Sequence, residues 1–345
     1  MKELRVIAID LAKTVFQVCL FDRSMKVLAN RTMSRRQLSA FLAKQPPAQV
    51  AMEACATAHH WGRLAEAQGH QAILIPPRQV TPYRQGQKTD GNDALAIGVA
   101  SQQPELKTVG VKTLDQQGLQ VTKRVQEHLS DQLTATGNLL RSLLAEFGLV
   151  IPKGWSGLKR RVPELLEDAE NDLPMPARHS LALIWRHWQV QAAALREAEQ
   201  SLKAHAEALE PCRRLAALEG IGDKNAVGLY LRLGDGRHFK NGREAAACVG
   251  VTPKQHSSGG KVRLGGIGRY RGDVRLRSSL ITGCHAAIIA LRRRPPRNGT
   301  EQWLQGLIAR RGPGRAAVAL ANRNIRTAWA MLRNGTAYAP GAIAG

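Results

Sequence analysis

The sequence predicts an α/β N-terminal domain, a helical middle region and a mainly helical C-terminal domain. Three observations lead to this prediction. Short apolar runs typical of strands lie before residue 76, leucine-rich stretches with helical spacing fill 114–210, and a glycine- and arginine-rich composition begins near Cys212. We therefore predict domains over 1–113, 114–210 and 211–340, since 345 residues suffice for several cores.

Three apolar, β-branched runs open the N-terminal region, at 4–9, 15–21 and 27–29, and predict a three-strand meander. Ser34 is placed to cap the helix that follows.

Two more strand-like runs, 50–52 and 72–75, alternate with helical segments, and a last helix starts near Asp90. The order β-β-β-α-β-α-β-α matches the ribonuclease-H-like fold. In that fold the first strand lies beside the fourth.

The middle region has leucines and valines mostly four or seven residues apart over 114–147, and again over 180–209. This spacing predicts a long antiparallel helical pair, partly coiled-coil-like, with a segment broken by Pro and Gly between the two helices. The near-neutral charge of this region suits protein–protein contact, although an intramolecular strut is an equally good interpretation.

The C-terminal region begins with a short helix, the turn Gly220-Ile221-Gly222 and an apolar helix to Leu233. This pattern is typical of a helix-hairpin-helix, whose backbone N–H groups can hold a DNA phosphate; Lys224 would add charge. A plain glycine-ended helix turn remains an alternative. A glycine-rich stretch, 257–272, comes next, and helices are predicted after it over 275–291 and 316–333.

The net charge of +23 is concentrated at the C-terminal end. Residues 1–110 carry +6, residues 111–210 carry −1 and residues 211–345 carry +18. A concentration of positive charge of this size is typical of proteins that bind polyanions such as nucleic acids. Because aromatic residues make up only 4% of the chain, phosphate contacts are expected to outweigh base stacking.

The five cysteines are far apart and form no CxxC pair. We expect reduced, buried thiols of a cytoplasmic protein. The first residues are charged, and apolar runs stay shorter than the roughly 20 residues of a membrane span, so neither a secretory signal nor a membrane segment is expected.

Four acids follow strands or begin a helix. Asp10 ends the first strand, Glu53 ends the fourth, and Asp90 and Asp93 stand three residues apart where the last helix starts. The predicted strand order would bring them together. Clustered carboxylates repel one another unless a hard cation such as Mg²⁺ lies among them, and two such ions can support phosphoryl transfer. Any one of these acids alone would be more simply explained as a turn residue.

A cationic, glycine-rich segment contains Ser257 and Ser258, followed by Lys261, Arg263 and Arg269. These cations would neutralise a phosphate, and an activated serine hydroxyl could attack phosphorus. On the residues alone, a phosphate-binding loop without a covalent role is the better interpretation.

Several motifs together resemble the DEDD insertion-sequence transposases, which share a RuvC-like domain with the Piv DNA invertases. The matching segments are Ile9-Asp10-Leu11-Ala12-Lys13, Met52-Glu53-Ala54-Cys55, Lys88-Thr89-Asp90-Gly91-Asn92-Asp93-Ala94, Leu144-Ala145-Glu146-Phe147-Gly148, Glu219-Gly220-Ile221-Gly222 and Ser257-Ser258-Gly259-Gly260-Lys261. One departure is Ala56-Thr57, where relatives often carry a glycine.

The resemblance implies a RuvC-like domain, a coiled-coil insert and a C-terminal transposase domain. It implies that Asp10, Glu53, Asp90 and Asp93 hold Mg²⁺ and that Ser258 forms a phosphoserine bond to DNA. Ser257 would take that role if the match to the family motif is shifted by one residue.

The resemblance also implies partners. These are donor and target DNA, a structured guide RNA (bridge RNA or seekRNA), and further copies of the chain in a dimer or tetramer with acids and serine from different subunits. The resemblance thus implies an RNA-guided recombinase. Two alternatives remain: a RuvC-type junction endonuclease that uses water, and a non-catalytic nucleic-acid-binding scaffold.

Overall fold

The computed structural model describes residues 4–268 and 272–342. The chain forms two compact units. One contains the N-terminal residues to Gln117 together with Leu233–Asn241, and the other contains Gly118–Arg232 together with the chain from Gly242 onward. The division into three domains at 113/114 and 210/211 stays a prediction.

The first unit is built on a five-stranded sheet of order β3-β2-β1-β4-β5. Its elements are β1 (Leu4–Asp10), β2 (Val15–Asp22), β3 (Val27–Ser34), α1 (Arg35–Leu42), β4 (Gln49–Glu53), α2 (Ala58–Ala67), β5 (Gln71–Ile75), α3 (Pro77–Val80) and α4 (Asp90–Ala100). The first three strands form the predicted antiparallel meander, with the third longer than expected. The prediction that the first strand neighbours the fourth is confirmed, because β1 and β4 pair in parallel.

The two faces of the sheet bury alternate residues of each strand. On β1, Ile7 and Ile9 belong to the core beneath α1 and α2, whereas Val6 and Ala8 belong to the core beneath α4. Ser34 caps α1 as expected, since its side chain accepts a hydrogen bond from the backbone of Gln37. This layering places the carboxyl ends of β1 and β4 near the start of α4.

The second unit begins with three helices around one core. They are α5 (Leu114–Ala145), which starts just before this unit, α6 (Trp155–Glu167) and α7 (Met175–Ala208). α5 and α7 run antiparallel, because Gln126 donates to Glu199 while Gly137 lies against Trp188. The predicted antiparallel pair is therefore confirmed, and the stretch expected to be broken contains α6.

The rest of the second unit is mostly helical. It contains α8 (Glu210–Ala216), α9 (Asp223–Leu233), α10 (Gly242–Val249), β6 (Pro253–Ser258), β7 (Lys261–Ile267), α11 (Val274–Leu291) and α12 (Gly299–Asn334), which bends at Gly312. The cationic, glycine-rich segment, interpreted from its residues as a phosphate-binding loop, forms a hairpin of β6 and β7. Gly259 and Gly260 adopt φ of +55° and +76°, which a two-residue hairpin turn requires.

Two further expectations concern cysteines and membranes. Cys19, Cys212 and Cys284 are buried, but Cys55 is exposed in the loop after β4, so the expectation of uniformly buried thiols was wrong. α11 is long and apolar enough by composition to cross a membrane, a test that the core helix of a globular unit also passes. Its Leu280, Cys284 and Ile288 are buried within the second unit.

Candidate active site

Asp10 and Glu53 lie side by side at the carboxyl ends of two parallel strands. The β1–β4 register pairs Ile9 with Met52, and the two acids follow directly. Ala8 and Ala51 both face the core beneath α4. Because side chains alternate along a strand, the two carboxylates also point to the α4 side of the sheet.

Asp90 and Asp93 stand in the first turn of α4. The Thr89 side chain caps this turn by accepting a hydrogen bond from the backbone N–H of Asn92, at 3.3 Å. Acids are favoured at such a position by the helix dipole.

The start of α4 is also tied to the sheet. Asn30 Nδ2 donates to the carbonyl oxygen of Gly91 at 3.0 Å, and Gln17 Nε2 donates to Asn30 Oδ1 at 2.6 Å. This polar chain from β2 and β3 sets the position of the two α4 acids relative to the strand that carries Asp10.

Neighbouring carboxylates act electrostatically on Asp10 and Glu53. Burial, followed by the carboxylates of Asp93, Asp90 and Glu53, raises the pKa of Asp10 to about 6. Burial and then Asp93 raise the pKa of Glu53 above its ordinary value. Because such repulsion weakens with distance, Asp10 lies within electrostatic reach of the other three acids singled out in the sequence.

Arg84 provides a positive charge inside this cluster. Its guanidinium forms an ion pair with Asp93 and lowers the pKa of both Asp10 and Glu53, opposing the effects that raise them. Arg84 was not among the residues predicted from the sequence. It lies in the segment between α3 and α4, where no periodic pattern distinguishes it from the other arginines.

The donor atoms of this cluster decide whether a divalent cation could bind there. In the parts of the chain described, 4–268 and 272–342, no three His, Cys, Asp or Glu side chains are arranged so as to hold a metal ion. The donors are nevertheless all carboxylate oxygens, which Mg²⁺ prefers, and they carry excess negative charge at one place. The chemistry fits such an ion, while Asp93 is paired here with a cation of the protein itself.

Ser258 lies at the tip of the β6–β7 hairpin, in the second unit. It is the last residue before the Gly259–Gly260 turn, it pairs with Lys261 across the hairpin, and its side chain is exposed. Ser257 is also exposed, and its Oγ accepts a hydrogen bond from Gln255 Nε2 at 3.0 Å. Both candidate nucleophiles are therefore accessible.

The predicted phosphate-binding residues have different surroundings. Gly222 and Lys224 are exposed at the start of α9, and Lys261 and Arg263 are exposed on β7. Arg269 lies outside the described residues.

Gly220 has a clear packing role. Its φ is +76°, and a Cβ there would lie 2.6 Å from the carbonyl oxygen of Gly283 on α11.

Glu219 anchors the α8–α9 turn to the rest of the second unit. Its carboxylate accepts from Asn298 Nδ2 at 3.1 Å and from the Tyr338 hydroxyl at 2.6 Å, while its carbonyl oxygen accepts from Asn324 Nδ2 at 2.8 Å. Burial, followed by the hydrogen bond to Glu219, raises the pKa of Tyr338 above its ordinary value. Tyr338 belongs to the tail past Ala337, to which sequence reasoning assigned no role.

Two family models match this chain. The first, described as Transposase and named for the DEDD transposases of IS110, matches residues 7–148, the region that contains all four acids. The second, described as Transposase IS116/IS110/IS902 family, matches residues 212–299, which contain the α8–α9 turn and the hairpin.

Several known proteins are similar to the chain in sequence. A probable family 20 transposase of Pseudomonas aeruginosa is 39% identical over 97% of this chain and 98% of its own length. The transposase for insertion sequence element IS1111A of Coxiella burnetii is 36% identical over 99% of this chain and 93% of its own length. A pilin gene-inverting protein of Moraxella bovis is 29% identical over 32% of this chain and 34% of its own length. Since near-full-length relatives exceed 30% identity and both family models agree, the chain belongs to the IS116/IS110/IS902 family of transposases and is a DNA-acting enzyme.

Proposed function

We propose that this transposase is an RNA-guided, site-specific DNA recombinase that depends on Mg²⁺ and uses Ser258 as its nucleophile. We further propose that its N-terminal unit is ribonuclease-H-like (RuvC-like) and that α8, its turn and α9 act as a helix-hairpin-helix. One observation carries the proposal. At the carboxyl end of β1, Asp10 lies within electrostatic reach of Glu53, Asp90 and Asp93, and Glu53 within reach of Asp93.

The four acids would hold the metal, and the sheet and α4 would keep them in place. A bound divalent cation would polarise the scissile phosphate and stabilise the charge that develops on it. Without a cation, four neighbouring carboxylates would repel a DNA phosphate, so this cluster is poorly suited to simple binding. That electrostatic conflict favours a metal-dependent enzyme over a non-catalytic scaffold.

Ser258 would carry out the covalent step. Its Oγ forms a bond to phosphorus while the bond between phosphorus and a sugar oxygen of one strand breaks. The serine proton passes to water, and the departing sugar oxygen takes up a proton from water. A sugar hydroxyl of another strand can later reverse the step, so the phosphoester bond is exchanged without being hydrolysed.

Guidance by RNA and action as a dimer or tetramer are proposed from the family resemblance. The +18 charge of residues 211–345 and the low aromatic content support contact with the phosphate backbones of RNA and DNA. Choice of sequence would then come from pairing between RNA and DNA, as in other guided systems. The acids and the serine of one reaction would come from different subunits.

The test combines the full-length protein, RNA transcribed from the non-coding flanks of its gene, Mg²⁺ and a duplex that carries the end of the same insertion sequence. We expect a denaturation-resistant protein–DNA adduct that mass spectrometry maps to the 257–258 segment. EDTA and Asp10→Asn should abolish the adduct while nucleic-acid binding persists. Omitting the RNA should remove sequence selectivity.

The alternatives give different results in this assay. Cleavage that survives Ser258→Ala together with Ser257→Ala, without an adduct, would indicate a RuvC-type endonuclease that uses water. Binding that is unaffected by Asp10→Asn or EDTA, with no cleavage under any condition, would indicate a scaffold. Recombination that is site-selective without the RNA would contradict guidance by RNA. It would leave the metal dependence and the serine nucleophile unaffected.

A further inference from the structure

The β6–β7 hairpin has two faces of different chemistry, and its turn sets which residues share a face. Gly259 and Gly260 both have positive φ, as in a two-residue type I′ turn, so Ser258 lies directly opposite Lys261. One step further from the turn, Ser257 lies opposite Val262. A slip of one residue would exchange the two faces completely.

The first face is cationic. Residues directly opposite on paired strands share a face, and residues two apart on one strand share a face. Ser258 therefore shares its face with Lys261, and with the next pair on that side, His256 and Arg263. Lys254 lies at an irregularity in the pairing between Pro253 and Gln255, and its Cβ is next to Gly265 on β7.

The second face is uncharged. It carries Gln255 and Ser257 on β6, opposite Leu264 and Val262 on β7. The hydrogen bond from Gln255 Nε2 to Ser257 Oγ supports this assignment independently of the backbone pairing. Val262 and Leu264 are 59% and 68% exposed, so this face offers apolar surface where the first offers positive charge.

We infer that the face bearing His256, Ser258, Lys261 and Arg263 is the one that meets the DNA phosphate, with Lys261 binding the phosphate that Ser258 attacks. This assignment rests on the proposed function and adds to it that Ser258, and not Ser257, is the nucleophile. Side chains directly opposite on antiparallel strands have Cβ atoms about 5 Å apart, so the Lys261 ammonium reaches an oxygen of a phosphate held at Ser258. Ser257 faces away from these cations.

Charge on the attacked phosphate explains why this pairing matters. As Oγ bonds to phosphorus, negative charge increases on the non-bridging oxygens, and an ammonium group beside them lowers the energy of that state. Arg263, one pair further along, neutralises an adjacent phosphate of the same strand. The uncharged face provides no such stabilisation to an attack by Ser257.

The first experiment compares the two serines in the adduct assay. Ser257→Ala is expected to form the adduct at the wild-type rate, and Ser258→Ala to form none. An adduct that persists in Ser258→Ala and maps to Ser257 would overturn the inference, while leaving a serine recombinase intact. Wild-type protein that forms no adduct would count against the proposed function instead.

The second experiment moves the charge of residue 261 to the other face. Lys261→Gln is expected to slow adduct formation about 10- to 100-fold, and Lys261→Arg to restore most of the rate. The double variant with Lys261→Gln and Val262→Lys keeps the net charge but places it on the uncharged face. We expect this double variant to stay as slow as Lys261→Gln, whereas recovery to the wild-type rate would show that net charge alone matters.

A binding measurement tests the face without any reaction. The affinity for a 30-base-pair duplex, measured at several salt concentrations, should lose about one unit of log–log slope in Lys261→Gln and in Arg263→Gln. Gln255→Ala and Val262→Ala, on the other face, should keep the wild-type slope. Equal losses from both faces would overturn the inference even if no adduct is ever detected.

Discussion

Asp10 is the acid whose protonation the cluster changes most clearly. Burial and three neighbouring carboxylates raise its pKa to about 6, from an ordinary value of 3.8. The folded protein therefore holds this proton more tightly than the unfolded chain does. The resulting stability is fully present below pH 3.8 and is lost as the pH rises through about 6.

We predict that the free energy of unfolding of the metal-free protein falls between pH 4 and pH 6, because Asp10 loses its proton there. Asp10→Asn should make the plot of this free energy against pH flatter over the same range. Urea unfolding at a series of pH values measures the effect, with Asp172→Asn, an exposed acid of the second unit, as the control. Adding Mg²⁺ at neutral pH should restore stability to the wild type more than to Asp10→Asn. Identical profiles for wild type and Asp10→Asn would contradict the raised pKa.

Arg84 competes with a metal ion for the same carboxylates, since it pairs with Asp93 and lowers the pKa of Asp10 and Glu53. We predict that Arg84→Gln binds Mn²⁺ about fivefold more tightly, the equivalent of roughly 1 kcal/mol for one ion pair lost. Titration calorimetry measures the affinity, and Arg78→Gln, on the neighbouring α3, is the matched control. Weaker binding in Arg84→Gln would show instead that Arg84 holds Asp93 in its binding position.

At the scale of elements, the α8–α9 turn is held by close packing as well as by hydrogen bonds. Gly220 adopts a positive φ and leaves no room for a Cβ against Gly283, whereas Gly222 has nothing within 4 Å of that position. The two glycines of one motif therefore have different structural roles. Of these two glycines, Gly220 is constrained by packing and Gly222 is not.

We predict that Gly220→Ala destabilises the second unit by about 2–5 kcal/mol, from roughly 1–2 for the left-handed backbone and roughly 1–3 for the forced contact. Gly222→Ala, the matched control, should change the unfolding free energy by no more than about 1 kcal/mol. Urea unfolding followed by circular dichroism measures both. A similar loss in the two variants would contradict the packing of the turn on α11.

The hairpin shows what local pattern could have predicted and what was overlooked. A Gly-Gly pair between residues that alternate cationic and uncharged is a recognised hairpin signal. The glycine content of the segment indicates a loop, whereas the two-residue period of Lys254, His256 and Ser258 indicates a strand. The faces of the hairpin, and so the difference between Ser257 and Ser258, follow only once the strand register is known.

At the scale of the whole molecule, charge dominates the interaction with nucleic acid. The chain carries +23, of which +18 lies in residues 211–345, and few aromatic residues are available for stacking. Counterion release from the phosphate backbone should therefore supply most of the affinity.

We predict that affinity for a duplex of unrelated sequence falls by about 10³ or more between 50 and 200 mM salt, as expected for six or more phosphate contacts. Fluorescence anisotropy at several salt concentrations measures the slope, and an uncharged peptide-nucleic-acid duplex serves as the control ligand. A slope near zero would mean that base contacts, and not phosphates, provide the affinity.

The sequence by itself determined the strands and helices of the first unit, the antiparallel helical pair, the family and the four acids, because periodicity and short motifs are local properties. Only the tertiary structure decided which distant residues meet these elements. Arg84 reaches Asp93, and Tyr338 reaches Glu219, because packed helices and strands bring their segments together. Such pairings depend on the free energy of the whole packed unit, which no window of neighbouring residues encodes.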